Sequence, residues 1–161
     1  MSRRQAGEGV KIIATNRRAR HEYHILETWE AGLVLQGTEV KALREGRANL
    51  GDAYGEIRDG EVWLVKMHIG PYEQGNRENH EPFRRRKLLL NRREIRKIRP
   101  RLEEQGLTLV PLRIYFKRGL AKLEIGLGRG KKLHDKRDAK AKQDVERRMA
   151  RHLGRRQGGD H

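Results

Sequence analysis

Residues 107–127 read LTLVPLRIYFKRGLAKLEIGL and contain the clearest strand pair in the sequence. Two runs rich in branched and aromatic residues flank Arg118-Gly119, which predicts an antiparallel hairpin turning at these two residues. One predicted face of the first run carries Val110, Leu112, Ile114 and Phe116. Pro111 interrupts this run and fits an edge position or a bulge, because proline donates no backbone hydrogen bond.

Upstream of this hairpin, the sequence predicts further strands. Residues 53–69, AYGEIRDGEVWLVKMHI, indicate a second hairpin, in which Asp59-Gly60 supplies the positive φ angles of a tight turn. EYHILETWE at 22–30 alternates like a strand, and GLVLQG at 32–37 is interpreted as another. The polar stretch 71–87 predicts a long exposed loop.

Two helices are predicted between the strands. GTEVKALREG at 37–46 has Thr38 as a possible cap, Val40 and Leu43 facing inward, and Gly46 in position to end it. A second helix begins at Asn91, with Glu94 three residues later as in a capping box, and ends at Gly106. Its apolar stripe is Ile95, Ile98 and Leu102. Pro100 interrupts that stripe, which predicts a kink or two short helices.

These elements predict a mainly β fold, specifically an OB-like closed antiparallel β-barrel with two or three short flanking helices. Closing the sheet would remove exposed strand edges; an open sheet with helices on one face is the alternative. The expected organisation is a flexible N-terminus over residues 1–10, the barrel over 11–129, and a basic, conditionally helical C-terminal tail over 130–161.

The charge of the chain indicates the class of its partners. The 161 residues include 38 Lys and Arg against 22 Asp and Glu, a formal net charge of +16. This excess favours nucleic acid or an anionic membrane surface. The sequence has no apolar run long enough to span a bilayer, no leader-like apolar region and no cysteine. We therefore expect a cytoplasmic protein that binds RNA or DNA.

Signals for catalysis or metal binding are weak. GLGRGKK at 126–132 lacks the glycine spacing and the hydroxyl residue of a phosphate-binding P-loop, so a flexible joint is the better interpretation. Serine occurs only at Ser2, which excludes a Ser-His-Asp triad. The histidines, including His21 and His24, form no metal-ligand pattern, and the pair Glu27 and Glu30 has no second catalytic signal. The prediction is a protein that is not an enzyme and has no cofactor and no metal.

Three basic clusters are more informative: NRRARHEY at 16–23, FRRRK at 83–87, and the tail. Arginine offers a planar fork of donors to phosphate and can stack on bases, whereas the alternative is that each cluster is a solvated charge run. A tail helix would carry a narrow apolar stripe with broad basic flanks, at Ala141, Val145, Met149 and Leu153. Such a helix would order on an anionic partner. A membrane-surface helix competes, but the stripe lacks Trp and Phe.

Five stretches together resemble the tmRNA-binding protein family, also called small protein B. They are NRRARHEY (16–23), EAGLVLQGTEVKALREGRANL (30–50), RKLLLNRREI (86–95), LTLVPLRIYFKRGLAKLEIGLGRGKK (107–132) and HDKR (134–137). The resemblance implies a monomeric binding protein of trans-translation, the rescue of ribosomes stalled on messages without a stop codon. Its barrel would bind the tRNA-like part of tmRNA, and its tail would enter the empty mRNA channel at the decoding centre of the small ribosomal subunit.

The resemblance also assigns residues. The tmRNA-binding residues would be Asn16, Arg17, Arg18, Arg20, His21, Glu30, Thr38, Glu39, Lys41 and Lys87. The ribosome-binding residues would be Lys131, Lys132, His134, Asp135, Lys136 and Arg137. A carboxylate at Glu30 could accept hydrogen bonds from base amino groups or an RNA 2′-OH, or it could fix a neighbouring arginine. A ribosomal or initiation-type protein and an RNA-processing enzyme remain the competing functions.

Overall fold

Nine strands and four helices follow one another in the computed structural model, which describes residues 9–104 and 106–158. The side chains of 75–77, 104, 133–135, 138–139 and 152–158 are outside this description. The strands are β1 (Val10–Thr15), β2 (Tyr23–Leu33), β3 (Ala48–Asn49), β4 (Tyr54–Arg58), β5 (Glu61–Val65), β6 (His68–Ile69), β7 (Arg86–Leu89), β8 (Thr108–Lys117) and β9 (Leu120–Gly130). The helices are α1 (Arg17–Glu22), α2 (Gly37–Arg44), α3 (Arg92–Glu104) and α4 (Leu133–Gly158).

Six of the strands form a ring, so the mainly β prediction is confirmed. Their order is β8, β4, β5, β7, β2 and β9, and β9 pairs with β8 again. All these pairings are antiparallel, and β1 adds to β8 while β3 and β6 form a separate two-stranded sheet. The β4–β8 pairing consists of one residue pair, Gly55 and Leu109. There the Leu109 side chain occupies the space that a Cβ on residue 55 would take.

Both predicted hairpins are present. Arg118 and Gly119 have φ angles of 52° and 78° between β8 and β9, and Asp59 and Gly60 have 52° and 75° between β4 and β5. The β8–β9 register shifts between Pro111 and Arg113, so the proline lies at a bulge, as predicted.

This bulge breaks the alternation along β8, and the prediction of a single apolar face is therefore wrong. Ile114 and Phe116 belong to the main core, with residues such as Leu64, Leu88 and Leu123. Val110 and Leu112 pack instead with Ala19 of α1 in a second, smaller cluster.

Strand β2 is one continuous strand where two were predicted. It pairs with β9 along most of its length and continues through Gly32 and Leu33, where it also pairs with β7. The rest of the predicted second strand leads into α2. Neither β1 nor α1 was predicted as a separate element, and α1 is formed by residues 17–22 within the basic stretch NRRARHEY.

Helix α2 differs from prediction in its cap, and α3 is one helix where a kink or two short helices were predicted. Gln36 caps α2 in a capping box with Glu39, so Thr38 lies inside the helix. Leu43 is buried and Gly46, at a φ of 77°, follows the helix, as expected. The capping box of α3 is confirmed, because the Glu94 amide donates to Asn91 Oδ1 at 2.9 Å and the Asn91 amide to Glu94 Oε1 at 3.1 Å. The α3 helix runs through Pro100 without being divided in two.

The stretch 71–87 is not simply an exposed loop. It contains a 3-10 turn at Glu73–Glu78, its last residues enter β7, and it buries His80 and Arg86.

The chain divides into two units, one ending at Gly130 and the other beginning at Lys131. The second unit is built on α4, which the tail sequence predicted as a conditional helix. Within α4, Val145 and Met149 of the predicted apolar stripe are exposed. The predicted flexible N-terminus lies outside the described residues up to position 8, as do the last three residues of the tail.

Candidate nucleic-acid interface

Helix α1 packs the small residue Ala19 inward and presents its basic side chains outward. Ala19 is buried against Val110 and Leu112, whereas the predicted site residues Arg17, Arg18, Arg20 and His21 are all exposed. The helix therefore concentrates cationic donors on the surface, as the cluster prediction required.

Asn16, a further predicted contact, has a structural position. Its backbone amide donates to the Leu112 carbonyl at 2.7 Å, and its side-chain Nδ2 donates to the Pro111 carbonyl at 2.9 Å. The residue is buried. Asn16 thus fastens the start of α1 to the bulge in β8, and it does not present its amide to solvent.

Glu30 lies on the outer face of the sheet and is held by two neighbours. The Tyr115 hydroxyl donates to Glu30 Oε2, and Lys117 Nζ lies 3.5 Å from the same oxygen. Burial alone would raise the pKa of Glu30, but the hydrogen bond from Tyr115 and the charge of Lys117 outweigh it, so this pKa is lowered. The side chain is still 40% exposed. Of the two explanations for Glu30, fixing an arginine does not fit, because a tyrosine and a lysine occupy that place.

Tyr115 is the centre of a polar cluster on this face. It is only 5% exposed although Ile114 and Phe116 point into the core on either side. The Arg113 guanidinium lies 5.2 Å from the centre of its ring and also pairs with Glu124 at 3.2 Å. Burial, and then the hydrogen bond to Glu30, raise the pKa of the Tyr115 hydroxyl, which therefore stays protonated as the donor.

Sequence reasoning missed several residues beside Glu30. Strand register places Lys122 opposite both Tyr115 and Gly32, and Gly32 opposite Leu89. Residues opposite each other share a face of the sheet, so Lys122, Gly32 and Leu89 form one row on the outer surface. Leu89 is 54% exposed and lies over Gly32, which has no side chain. Because alternate residues of a strand share a face, Gly32 could have been placed beside Glu30 from the sequence. Its partners on β7 and β9 could not, because they depend on the register between strands that are distant in the chain.

The structure places Glu39 in the interior, not on the surface that its prediction as an RNA contact needs. Arg84 Nη2 and the Gln36 amide donate to its Oε1, and Arg86 Nε donates to its Oε2 at 2.6 Å. Burial would raise the pKa of Glu39, but these donors lower it overall. Its carboxylate is completely engaged inside the protein.

Arg86, the partner of Glu39, is also fully buried. Its guanidinium donates to Glu39, to the Met67 carbonyl and, at 3.1 Å, to the Pro82 carbonyl. Burial lowers the pKa of Arg86, and the contact with Glu39 opposes that effect. One residue of the basic cluster 83–87 is therefore a structural cation that joins β7 to α2.

The remaining predicted tmRNA contacts lie around this buried pair. Thr38 Oγ1 is 2.9 Å from His80 Nδ1. Lys41 is exposed, with its ammonium 5.4 Å from the centre of the Tyr72 ring. Lys87 pairs with Glu61 at 2.8 Å.

The predicted residues do not converge on one point. Helix α1 precedes β2 and α2 follows it, and eleven residues of strand separate them, which is a length of about 33 Å. The exposed predicted residues therefore lie toward both ends of β2, on the elements that precede and follow it.

The predicted ribosome contacts belong to the second unit. Lys132 and Arg137 are exposed, Lys131 and Lys136 are half-buried, and the side chains of His134 and Asp135 lie outside the described residues. The Lys136 amide donates to the Lys132 carbonyl at 3.2 Å in the first turn of α4.

Other kinds of site are weakly represented. Among the described side chains, no group of three or more His, Asp or Glu could hold a metal ion. In the same part of the chain, no helix is long and apolar enough to cross a membrane. A cleft of about 490 Å³ lies beside α1, lined by residues that include Arg18, Tyr23 and Tyr54.

Comparison with known proteins confirms the resemblance seen in the sequence. The family model described as SmpB protein matches residues 13–155. An SsrA-binding protein of Desulforudis audaxviator is 59% identical over 146 residues, which cover 91% of this chain and 95% of that protein. One from Desulfitobacterium hafniense is 56% identical over 148 residues, covering 92% and 95%.

A solved structure gives the same result. A chain described under "tmRNA-SmpB: a journey to the center of the bacterial ribosome" is 52% identical and superposes with a TM-score of 0.63. The match covers 74% of this chain and 85% of that one. With a family model that matches most of its length and relatives above 55% identity, this chain belongs to the SmpB protein family.

Proposed function

We propose that this chain binds tmRNA and acts with it on stalled ribosomes in trans-translation, in the cytoplasm where ribosomes work. The observation that carries the proposal is the SmpB match over residues 13–155, together with a 52% identical chain in a tmRNA–SmpB structure. Its role would be binding and positioning, with no bond made or broken by its own side chains.

The surface we assign to the tRNA-like part of tmRNA runs from α1 to the outer face of β2. Exposed Arg17 and Arg18 would contact phosphates, which position an RNA without reading its sequence. The row of Lys122, Gly32 and Leu89 beside Glu30 offers a cation and, at Leu89, an exposed apolar side chain that lies over Gly32. An OB-like barrel commonly uses such a sheet face to bind single-stranded RNA, and this is the use we propose for the ring.

Glu30 supports this assignment through the geometry of its carboxylate. Tyr115 and Lys117 both contact Oε2, so Oε1 is the oxygen that can accept a hydrogen bond from a ligand. A carboxylate held in this way suits an RNA 2′-OH or a base amino group, because it recognises donors while Lys117 and Lys122 offset its charge.

The buried residues receive supporting roles. Asn16 fixes α1, and Glu39 with Arg86 fixes α2, so both would act on tmRNA through the elements they hold. Lys41, on the exposed side of α2, remains a proposed direct contact, as does Lys87.

The first test identifies the RNA partner. The tagged full chain is purified from bacterial cells and the RNA bound to it is sequenced. We expect enrichment of tmRNA over total RNA. Recovery of ribosomal RNA alone would instead favour a ribosomal or initiation-type protein.

The second test locates the interface. Arg17→Gln with Arg18→Gln removes two exposed cations, so the slope of log affinity against log salt for the tRNA-like part should become shallower by about two. Lys11→Gln with Arg44→Gln removes the same charge from two other exposed positions and should change it much less. Equal changes in both variants would move the interface away from α1.

For the tail, we propose that Lys131, Lys132, His134, Asp135, Lys136 and Arg137 contact the decoding centre and that α4 occupies the empty mRNA channel. Support comes from the basic composition of α4 and its exposed flanks. A chain ending at Gly130 should keep its thermal midpoint and tmRNA affinity but fail to support peptide tagging on stalled ribosomes. Normal tagging by that chain would remove the tail from the mechanism.

A further inference from the structure

Helix α3 carries four exposed cations that the tmRNA interface proposed above does not include. They are Arg92, Arg93, Arg96 and Lys97, here called the α3 quartet. With about 100° between successive helical residues, the quartet spans about 140° of the helix surface. Ile95, Ile98 and Leu102 lie on the opposite side and pack into the main core. The quartet therefore lies on a helix that is fixed to the core by its apolar side.

The quartet is electrostatically unfavourable for the helix that bears it. Arg92 and Arg96, and likewise Arg93 and Lys97, are like charges at i and i+4, which repel each other. Two of the cations also lie in the first turn, where the helix dipole favours acidic side chains.

Neighbouring acids do not compensate for this charge. Glu94 is committed to the capping box with Asn91, and Glu103 pairs with Arg99 at 3.2 Å. Arg101, also on α3, pairs with Glu27 at 2.7 Å. Among the described side chains, no ion pair or hydrogen bond involves a member of the quartet. Unpaired charges that destabilise their own helix are expected at sites where an external ligand supplies the opposite charge.

We propose that the α3 quartet binds the phosphate backbone of a paired RNA segment, at a second contact separate from the α1–β2 surface. The proposal rests on the proposed function, which makes structured RNA the partner of this chain. Four long cations on a convex helix offer donors to phosphates and no aromatic ring on which an unpaired base could stack. Helix α3 itself contains no Trp or Phe, the residues that favour insertion into a lipid interface.

The test compares two variants of the full chain with equal charge. One replaces the quartet by Gln: Arg92→Gln, Arg93→Gln, Arg96→Gln and Lys97→Gln. The control replaces four dispersed cations by Gln that are also exposed and lie outside the proposed interfaces: Lys11, Arg44, Arg118 and Arg129. Gln has a helix propensity close to that of Arg and Lys, and it removes the repulsion, so the thermal midpoint of the quartet variant should be unchanged or higher.

The probe is a 20-base-pair RNA duplex without tRNA-like features, titrated at several salt concentrations, beside the isolated tRNA-like part of tmRNA. For the duplex, the quartet variant should bind about tenfold or more weakly at low salt, with a salt slope shallower by about three to four. The control should lose less than one unit of slope. Affinity for the tRNA-like part should change by less than threefold in the quartet variant.

The proposal would be overturned by an unchanged duplex slope, by an equal loss in the control, or by a quartet variant that loses binding to anionic lipid vesicles while its duplex binding stays intact. If the quartet variant loses as much affinity for the tRNA-like part as Arg17→Gln with Arg18→Gln does, the quartet belongs to the same contact as α1, and the proposal of a second contact is refuted. Failure of the proposed function is a separate outcome, seen when the unaltered chain does not bind the tRNA-like part at all.

Discussion

Replacing Arg86 by Met tests whether the buried pair with Glu39 holds the fold of the first unit. Met fills a similar length but donates no hydrogen bond, so the Glu39 carboxylate loses one of its donors while it remains fully buried. The Met67 and Pro82 carbonyls lose their donor as well. Breaking a buried ion pair on one side costs about 3–5 kcal/mol. In a chain of this size that lowers the melting temperature by roughly 10 °C.

The matched control is Lys87→Met, one position along β7. Its pair with Glu61 is partly exposed, with side-chain exposures of 36% and 47%, so the expected cost is below about 1 kcal/mol. Both variants are measured by urea unfolding at constant pH. A cost for Arg86→Met under about 1 kcal/mol, or one equal to that of the control, would refute the assignment of a structural role to this pair.

The pH dependence of the same variant gives a second check. Because the folded-state pKa of Glu39 is lowered, its contribution to stability is present above the unfolded pKa, near 4.5, and is lost as the pH falls through the folded pKa. In the Arg86→Met variant, the Glu39 carboxylate has one donor fewer and is therefore protonated at a higher pH than in wild type. The difference in unfolding free energy between wild type and variant should therefore shrink as the pH falls below about 4.5.

Three further substitutions test other parts of the structure. Tyr115→Phe should cost about 1 kcal/mol, because Glu30 loses a hydrogen-bond donor but its carboxylate is 40% exposed and can be solvated instead. This difference from wild type should fade as acid protonates Glu30, and Tyr54→Phe is the control in urea unfolding. Gly55→Ala should cost about 1–3 kcal/mol, because the new Cβ would lie 2.5 Å from the Leu109 side chain. Gly37→Ala has open space around the new Cβ and should be neutral or stabilising, so equal thermal shifts in the two variants would contradict this reasoning. Asn91→Ala should cost about 1 kcal/mol through the lost cap of α3 and Asn91→Asp almost nothing, and denaturant midpoints decide between them.

Local patterns predicted most of the elements of the first unit. The turns at Asp59-Gly60 and Arg118-Gly119 were predicted from their residue types and have the expected positive φ angles. The cap of α3 was predicted from the spacing of Asn91 and Glu94. These features depend on neighbours in sequence, which is why they can be predicted. The extra residue of the bulge in β8 could be suspected from Pro111, but its redirection of Leu112 toward α1 depends on tertiary packing.

The candidate interface was harder to predict for the same physical reason. Arg84, Arg85 and Arg86 look equivalent in a basic run, yet the fold buries the third with Glu39, which is 47 positions away. Glu39 resembled a surface carboxylate because nothing nearby in sequence indicates its partners. Lys122 and Leu89 join Glu30 only through strand register, and Asn16 is drawn inward by carbonyls of β8.

The single residue pair between β4 and β8 has a consequence for how the first unit assembles. The β8–β9 and β4–β5 hairpins bring together residues that are near in the chain, so they carry a low loop-closure entropy and can form early. Joining Gly55 to Leu109 closes a segment of more than fifty residues for one ladder step, and this step is expected last on the folding pathway. In native-state hydrogen exchange, amides at this seam should exchange through smaller opening free energies than those at the centre of the β2–β9 ladder. The β4–β8 seam would then be the last part of the ring to form and the first to open.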